Sequence, residues 1–521
     1  MKNHVGLISI LILMLTWCAG QANIWYVHPD STLNSIQAGL DSSSDNDTVL
    51  VGPGIYYENI VWPNTQGIDL ISEYGPDTTI IDGNSAGSVL TIANGIDTST
   101  VISGFTVRNG SAYDGSGILC SNHSAPRICG NIITSNYGGA GIACTDSSSP
   151  VITNNFISNN MSTYGGGIVA MDYSSPVIAD NSITSNSAYF GGGIFCMESS
   201  PTITGNTISY NEYVTAENID MGMDYSKKAF NGIDFRRPPP LGGGICLLSS
   251  ASLIDGNIII GNSAIGGGGG ICCISSSPTI RNNTISENIS PWSYGGGGVY
   301  IAGDSVLFIN NIVTANVAAF GGGICCEYTS VIIDSCTISG NDREGIYINH
   351  CATIINYTNI TDNKGYGVRN DWPGIIVNAE YNWWGDSTGP YHPVTNPGGL
   401  GDSVSDYVDY VPWLYWPVGI QEHKLPEPIV PVLQINPNPF RDRTDITYYT
   451  RQNAQRTELK IYDISGRLVR NLAHTSTHAL CPAHIFWYGD DNAGRKLPGG
   501  VYFLKFEHGD HRETRKLLLV R

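Results

Sequence analysis

The stretch GGGIFCMESSPTITGNTISYN, residues 191–211, contains the pattern that decides the fold. Three glycines introduce a short run, IFCM, whose apolar side chains at Ile194 and Cys196 are two positions apart. A second run follows Ser-Pro, and a third ends at Asn211. Alternation with a period of two, closed by Asn, Gly, Ser or Pro, is typical of short β-strands. The stretch therefore predicts three strands.

The same pattern recurs along the chain. Successive copies, aligned on the Ile or Val after each glycine run, lie 24, 26, 26, 51, 26, 28, 25, 22 and 22 residues apart. Such a period indicates stacked repeats, and three short strands per repeat stacked at roughly 4.8 Å predict an all-β, three-sheet parallel β-helix. The interval of 51 holds one ordinary repeat and an insertion. The aligned positions are Ile118, Ile142, Ile168, Ile194, Ile245, Ile271, Val299, Ile324, Ile346 and Val368.

Two columns of side chains follow from this alignment. Because residues two apart share a face of a strand, the cysteines two positions after the aligned residues are predicted to be free thiols that fill the core, with disulfides between coils as the alternative. Asparagines at strand ends are predicted to form a hydrogen-bonded ladder. The cysteines are Cys120, Cys144, Cys196, Cys273 and Cys326. The asparagines are Asn131, Asn155, Asn181, Asn206, Asn257, Asn283 and Asn311.

The repeats resemble the right-handed parallel β-helix proteins of the pectate-lyase-like superfamily, from residue 23 to residue 417. The opening WYVHPDSTLNSIQAGLDSSSDNDTVLVGPGIY resembles their N-terminal entry. The resemblance implies a short amphipathic helix near Leu33–Leu40 that caps the open end of the stack. The closing segment NWWGDSTGPYHPVTNPGGLGDSVSDYVDYVPWL, residues 382–414, resembles a tail seen in the same group.

The composition changes after residue 417. A Pro-rich linker covers 418–432, and residues 433–521 contain alternating strands with Asp-x-x-Gly and Pro-Gly-Gly turns, which predict a small Ig-like β-sandwich. This part resembles the C-terminal sorting domain of type IX secretion cargo and the Ig-like domain of flagellar hook-capping proteins. The resemblance implies an outer-membrane secretion machinery as partner. His474, His478 and His484 are expected to be loop histidines, with a metal site as the alternative.

Residues 1–22 read as a secretory signal peptide, with Lys2 before an apolar stretch and small residues at the cleavage site. No later run is long enough to span a membrane. The 521-residue chain has a net charge of −19, which is unevenly distributed: 430–521 carries +5 and the remainder −24. The acidic part is unsuited to nucleic acids. These features predict a secreted or outer-surface protein.

One local set of carboxylates occurs four residues after the aligned positions of three consecutive repeats. Asp146, Asp172 and Glu198 are predicted to stack about 5 Å apart, where like charges repel. Calcium would offset this repulsion, since it favours several carboxylate oxygens. The alternative is that these residues only form turns before Ser-Ser-Pro.

The insertion, residues 212–241, is the second candidate region because long loops in compact scaffolds are usually functional or disordered. Lys227, Lys228, Arg236 and Arg237 are its basic residues and the weak catalytic candidates. In a lyase, such cations would neutralise a uronate carboxylate or abstract the adjacent proton. Arg236 and Arg237 are also substrate-binding candidates, together with Tyr213 and Tyr225. The alternative is that the cations only pair with an acidic shaft.

An aromatic column precedes the glycines and is expected to cover a turn, with a sugar-binding platform as the alternative. Its members are Tyr137, Tyr164, Phe190, Tyr294, Phe320 and Tyr366.

Three functions are consistent with these sequence features. The first is a non-catalytic surface protein that binds polysaccharide or cell-surface glycan, or serves as a scaffold. The second is a calcium-dependent polysaccharide lyase, or another carbohydrate-active enzyme, acting on uronate polymers. The third is a calcium-stabilised adhesin. The chain has no Gly-x-Ser-x-Gly, His-Glu-x-x-His, phosphate-loop or Cys-x-x-Cys motif, which favours the first.

Overall fold

In the part of the chain that it describes, the computed structural model is an all-β parallel solenoid of about 13 turns, with three long sheets and almost no helix. It describes residues 22–113, 115–215, 241–291, 295–419, 434–436, 438–441, 443–448, 457–472, 483–508 and 511–521. Most of the predicted signal peptide, of the predicted linker and of the insertion lies outside these ranges. Each turn of the solenoid runs through sheet C after the glycines, sheet A after Ser-Pro, and then sheet B.

Sheet A has 15 strands and is the longest sheet of the solenoid. Its strands are Ile24–Val27, Thr48–Val51, Asp69–Ser72, Val101–Ser103, Arg127–Cys129, Val151–Thr153, Val177–Ala179, Thr202–Thr204, Leu253–Asp255, Thr279–Arg281, Ser305–Ile309, Ser330–Asp334, Ala352–Asn356, Val377–Asn378 and Val408–Asp409.

Sheet B has 12 strands and follows sheet A after a short turn. Its strands are Gly54–Tyr57, Thr79–Asp82, Thr106–Arg108, Ile132–Thr134, Phe156–Ser158, Ser182–Thr184, Thr207–Ser209, Ile258–Ile260, Thr284–Ser286, Ile312–Thr314, Thr337–Ser339 and Asn359–Thr361.

Sheet C also has 12 strands and contains the aligned Ile and Val residues. Its strands are Ile60–Val61, Leu90–Ile92, Gly115–Cys120, Ala140–Cys144, Ile168–Ala170, Ile194–Met197, Ile245–Leu248, Ile271–Ile274, Val299–Ala302, Ile324–Glu327, Ile346–Asn349 and Val368–Asn370.

The register of sheet C confirms the predicted alignment. All ten aligned residues, from Ile118 to Val368, pair in one continuous column. Ile194 pairs directly with Ile245 across the interval of 51 residues. The coil after the insertion therefore continues the register of sheet C.

The interior of the solenoid is a single apolar column of Ile, Val, Leu and Cys side chains. The predicted cysteine column is buried with free thiols, as expected. Burial raises the pKa of the Cys120 thiol to about 12, because a thiolate would lie in apolar surroundings. These cysteines act as small apolar core residues.

Two asparagine ladders run along the solenoid. In the predicted one, the Asn131 amide group donates to Asn155 Oδ1 at 3.1 Å, and Asn155 repeats this bond to Asn181 at 3.0 Å. A second ladder, at the end of sheet B, was missed by the sequence analysis. Its members are Asn136, Asn160, Asn186, Asn211, Asn262, Asn288, Asn316, Asn341 and Asn363.

The N-terminal turn contains one short helix, Ile36–Asp41, which begins three residues later than predicted. Ser35 is its N-cap, and the Ser35 hydroxyl oxygen accepts from the Ala38 amide at 3.1 Å. Ile36 and Leu40 are fully buried in the solenoid core. The role of this helix as a cap for the stack remains a prediction.

The C-terminal part contains two antiparallel sheets around a separate apolar core that includes Trp487, Leu504 and Phe506. One sheet consists of Gln434–Asn436, Thr444–Tyr448 and Ala483–Trp487. The other consists of Thr457–Asp463, Leu468–Asn471, Gly500–His508 and His511–Leu519. Its assignment as an Ig-like sorting domain remains a prediction. Among the described residues, no helix is long and apolar enough to cross a membrane.

Candidate functional site

The loops that lead from sheet B to sheet C form strands of their own. Sheet D consists of Tyr137–Gly138, Met161–Tyr164, Ser187–Phe190 and Glu212–Tyr213, and a two-stranded continuation consists of Ile289–Ser290 and Val317–Ala318. Loop residues such as Tyr189 and Phe190 pack with Phe195 and Cys246 of sheet C in a second apolar cluster. The outer face of sheet C is therefore covered in these coils.

A groove of about 410 Å³ runs along the boundary between sheets B and D. Two exposed tyrosines stand at its ends, and polar side chains form most of its floor. Its lining residues are Tyr137, Asn159, Asn160, Met161, Ser185, Ser187, Tyr210 and Glu212.

The backbone fixes both sides of this groove. Asn159, Ser185 and Tyr210 follow successive strands of sheet B and share a left-handed conformation, with φ of 55°, 56° and 53°. Tyr137, Met161 and Ser187 are in register along sheet D, as are Ser187 and Glu212. Since both columns repeat once per coil, the groove has a regular, preformed floor.

The tyrosines supply aromatic surface. Tyr137 is 46% exposed and Tyr210 is 62% exposed. The Tyr210 ring lies against Gly261, where an added Cβ would be 2.7 Å from ring atom Cε1. Glycine at position 261 thus leaves the space in which the ring rests. The lining also offers amide, hydroxyl and carboxylate groups that can bind hydroxyl-bearing ligands.

The three residues of the predicted acidic column do occupy equivalent positions in successive coils, but the shape of the turn explains their presence. Asp146, Asp172 and Glu198 occupy equivalent turns with φ of 52°, 53° and 51°. The Ser147 amide donates to the Asp172 carbonyl at 2.9 Å, which stacks the turns. Ser249 and Ser275 adopt the same conformation in later coils. The left-handed turn, which Asp tolerates well, is therefore independent of charge.

No metal centre emerges from this column. Within the described ranges, no group of three or more His, Cys, Asp or Glu side chains is placed to hold a metal ion. Asp146 and Asp172 are exposed, and Glu198 is half-buried. The calcium assignment remains a prediction without support from this geometry.

The structure describes the insertion at residues 212–215 and 241. Tyr213 lies in the strand Glu212–Tyr213 and pairs with Ala188. Because neighbouring residues of a strand face opposite sides, Tyr213 lies on the side of sheet D away from Glu212 and the groove. The other candidates, Tyr225, Lys227, Lys228, Arg236 and Arg237, lie outside the described residues.

The aromatic column needs one correction. Tyr164 and Phe190 stack as expected, with ring centroids 5.7 Å apart and planes 8° from parallel. Tyr137, however, pairs with Met161 and not with Tyr164. Alignment on the glycines misplaces Tyr137, because its loop is shorter than the next one. Alignment on Asn136 and Asn160 gives the correct register.

A second polar cluster occupies the outer face of sheet C in its last coils. The Tyr300 hydroxyl donates to Glu327 Oε2 at 2.8 Å, and the Tyr347 hydroxyl donates to Asp371 Oδ2 at 3.0 Å. Burial, followed by the Glu327 charge, raises the pKa of Tyr300 far above its usual range. Hydrogen bonds to Asp371 outweigh burial and raise the pKa of Arg369. These side chains meet one another's hydrogen-bonding and charge requirements, which indicates that the network has a structural role.

The comparison with protein-family models agrees with this architecture. The family model described as the right-handed beta helix region matches residues 54–208 and 222–372. The solved structure of XylC with xylose has a TM-score of 0.35 and 10% identity, covering 95% of this chain and 100% of the other. A mannuronic acid specific polysaccharide family 6 lyase from human gut microbiota has a TM-score of 0.32 and 11% identity, covering 76% and 92%.

No curated protein matches the chain. The family match covers more than half of the 521 residues. The chain belongs to the right-handed β-helix family.

Proposed function

We propose that this protein is an exported β-helix protein that binds carbohydrate through the groove between sheets B and D. The main observation behind this proposal is that the groove combines two exposed aromatic side chains, Tyr137 and Tyr210, with a polar floor between them. Carbohydrates present apolar ring faces and hydroxyl groups. Aromatic rings can stack on the apolar ring faces, and amide, hydroxyl and carboxylate groups can hydrogen-bond to the sugar hydroxyls.

The groove needs no large rearrangement to accept a ligand. Hydrogen bonds between coils hold its floor, since the Asn159 amide donates to the Ser185 carbonyl and the Ser187 amide donates to the Asn160 carbonyl. A preformed site reduces the entropy lost on binding. The site is nevertheless shallow, so we expect modest affinity for short ligands.

Export is part of the proposal. The apolar N-terminal stretch predicts secretion, and the C-terminal strands support a sorting domain that engages the outer-membrane secretion machinery. The two antiparallel sheets and separate core of residues 434–519 are compatible with such a module. Fractionation of cells that express the full chain, with and without residues 433–521, tests this part. Loss of surface or medium localisation on truncation is expected.

Binding is tested by isothermal titration calorimetry of the full chain against soluble polysaccharides. We expect Tyr210→Asn to weaken binding about five-fold, since an aromatic contact contributes about 1 kcal/mol. Asn is suited to the left-handed turn at this position. Tyr173→Asn is the matched control, because Tyr173 is a 75% exposed tyrosine with φ of 62° outside the groove lining. Equal affinities of the two variants would contradict the assignment of the groove.

The two alternatives have separate tests. A uronate lyase forms an unsaturated product, so ultraviolet absorbance on pectate and alginate, with and without calcium, measures that activity. Absence of product on every uronate polymer would exclude it. A calcium-stabilised adhesin should lose thermal stability when a chelator is added. An unchanged melting temperature would exclude that role.

A further inference from the structure

We infer that the groove binds a linear, uncharged polysaccharide laid along the solenoid axis, and that it discriminates against uronates. The inference rests on the proposed function and adds the class of ligand. It follows from the spacing of the two tyrosines and from the charge of the lining residues.

The spacing of the tyrosines sets the length of the ligand. Tyr137 follows the strand Ile132–Thr134, and Tyr210 follows Thr207–Ser209, three strands further along sheet B. Three steps of about 4.8 Å separate the two coils by about 14 Å along the axis. A monosaccharide or disaccharide contacts one tyrosine, whereas an oligosaccharide parallel to the axis contacts both.

The floor between the tyrosines repeats in the same direction. Asn159 and Ser185 lie in successive coils on one side, and Met161 and Ser187 lie in the same coils on the other. A polymer of repeating sugars therefore meets side chains at equivalent backbone positions in each coil. This match favours a linear chain over a branched or compact ligand.

The charge of the lining favours an uncharged polymer. Among the described residues that line the groove, Glu212 is the charged side chain, and it is exposed. Its carboxylate can accept hydrogen bonds from sugar hydroxyls. A uronate carboxylate at contact distance from Glu212 would be repelled, which we expect to weaken binding about five-fold at low salt.

The test is calorimetric titration of the full chain with the disaccharides and hexasaccharides of xylan, mannan and cellulose, and with hexagalacturonate. We expect one neutral hexasaccharide to bind at least ten-fold more tightly than its disaccharide and at least five-fold more tightly than hexagalacturonate. Glu212→Gln should reduce the discrimination against hexagalacturonate. Glu287→Gln is the control, because Glu287 is an exposed residue on the same edge of sheet B outside the groove lining.

The outcomes separate the inference from the proposed function. Binding of hexagalacturonate as tight as, or tighter than, that of every neutral hexasaccharide would overturn the inferred ligand class while carbohydrate binding stands. Equal binding of a disaccharide and its hexasaccharide would overturn the axial placement. Absence of binding by all these sugars would overturn both the inference and the proposed function.

Discussion

The second asparagine ladder allows a direct test of how much side-chain hydrogen bonds between coils contribute to the stability of the solenoid. Asn186 has a ladder neighbour on each side and is fully buried. Its side-chain nitrogen donates to the carbonyls of Ile157 at 2.9 Å and Thr184 at 3.2 Å, and to Asn211 Oδ1 at 3.0 Å. Its side-chain oxygen accepts from the Asn160 amide at 3.1 Å and from Asn160 Nδ2 at 2.9 Å. Asn186→Ala removes all five bonds.

The expected loss of stability follows from these contacts. Some partners keep another bond: Asn160 Nδ2 still donates to the Ile133 carbonyl, and Asn211 Oδ1 still accepts from the amide of residue 186. The Asn160 amide and the carbonyls of Ile157 and Thr184 lose their side-chain partner. An unsatisfied buried group costs about 1–3 kcal/mol, so we expect Asn186→Ala to lower the unfolding free energy by about 4 kcal/mol.

The assay is urea unfolding followed by circular dichroism, with hydrogen exchange of the coils around residue 186 as a local measure. The control is Asn59→Ala, because Asn59 is exposed and its side chain donates one bond, to the Ser88 carbonyl at 3.0 Å. We expect the control to cost less than about 1 kcal/mol. A similar small loss for Asn186→Ala, with unchanged local exchange, would refute the reasoning.

A double-mutant cycle tests whether the ladder acts through adjacent pairs. Asn160 and Asn186 share two of the five bonds, so the double Ala variant should lose about 2 kcal/mol less than the sum of the single variants. Asn136 and Asn262 lie four coils apart, about 19 Å, and their effects should add. Additivity in both pairs would contradict a ladder of direct side-chain bonds.

Two further predictions concern the glycines and the buried thiols. An added Cβ at Gly193 would lie 2.6 Å from the Gly244 carbonyl oxygen, so Gly193→Ala should lower the unfolding free energy by about 1–3 kcal/mol. Gly398→Ala is the control, since no atom lies within 4 Å of an added Cβ at that position. If urea unfolding showed an equal loss of unfolding free energy for both variants, the predicted clash at Gly193 would be wrong. Burial raises the pKa of Cys120 and Cys336 to about 12, so peptide-resolved iodoacetamide labelling at about pH 8 should modify them only after unfolding. Rapid labelling of the native protein would contradict their burial.

The fold was predictable from the sequence because its determinants are local and repeated. A glycine run, an Ile or Val two residues before an apolar residue, and an Asn at a strand end recur in most of the coils between residues 115 and 363. The predicted columns of Ile, Cys and Asn are accordingly found in register. Even the interval of 51 residues was interpreted correctly, since Ile194 pairs with Ile245.

The candidate site was less predictable, because it depends on which loop residues become neighbours. The acids at 146, 172 and 198 are conspicuous in the sequence, yet their turns have the same backbone as Ser249 and Ser275. Tyr210 carries no motif and belongs to no predicted column. It was missed because a tyrosine in a left-handed turn has no distinguishing sequence signal. Its space depends on Gly261 in the next coil, 51 residues later.

The sequence by itself determined the repeating coil, the three strands in each repeat, the apolar interior and the place of the insertion. Short-range alternation and turn residues specify these features, because each coil is stabilised by the same contacts with its neighbours. Only the tertiary structure decided the register of the loops between sheets B and C. Those loops differ in length, so spacing in the chain does not give their alignment. Hydrogen bonds of sheet D set Tyr137 opposite Met161 and thereby form the groove.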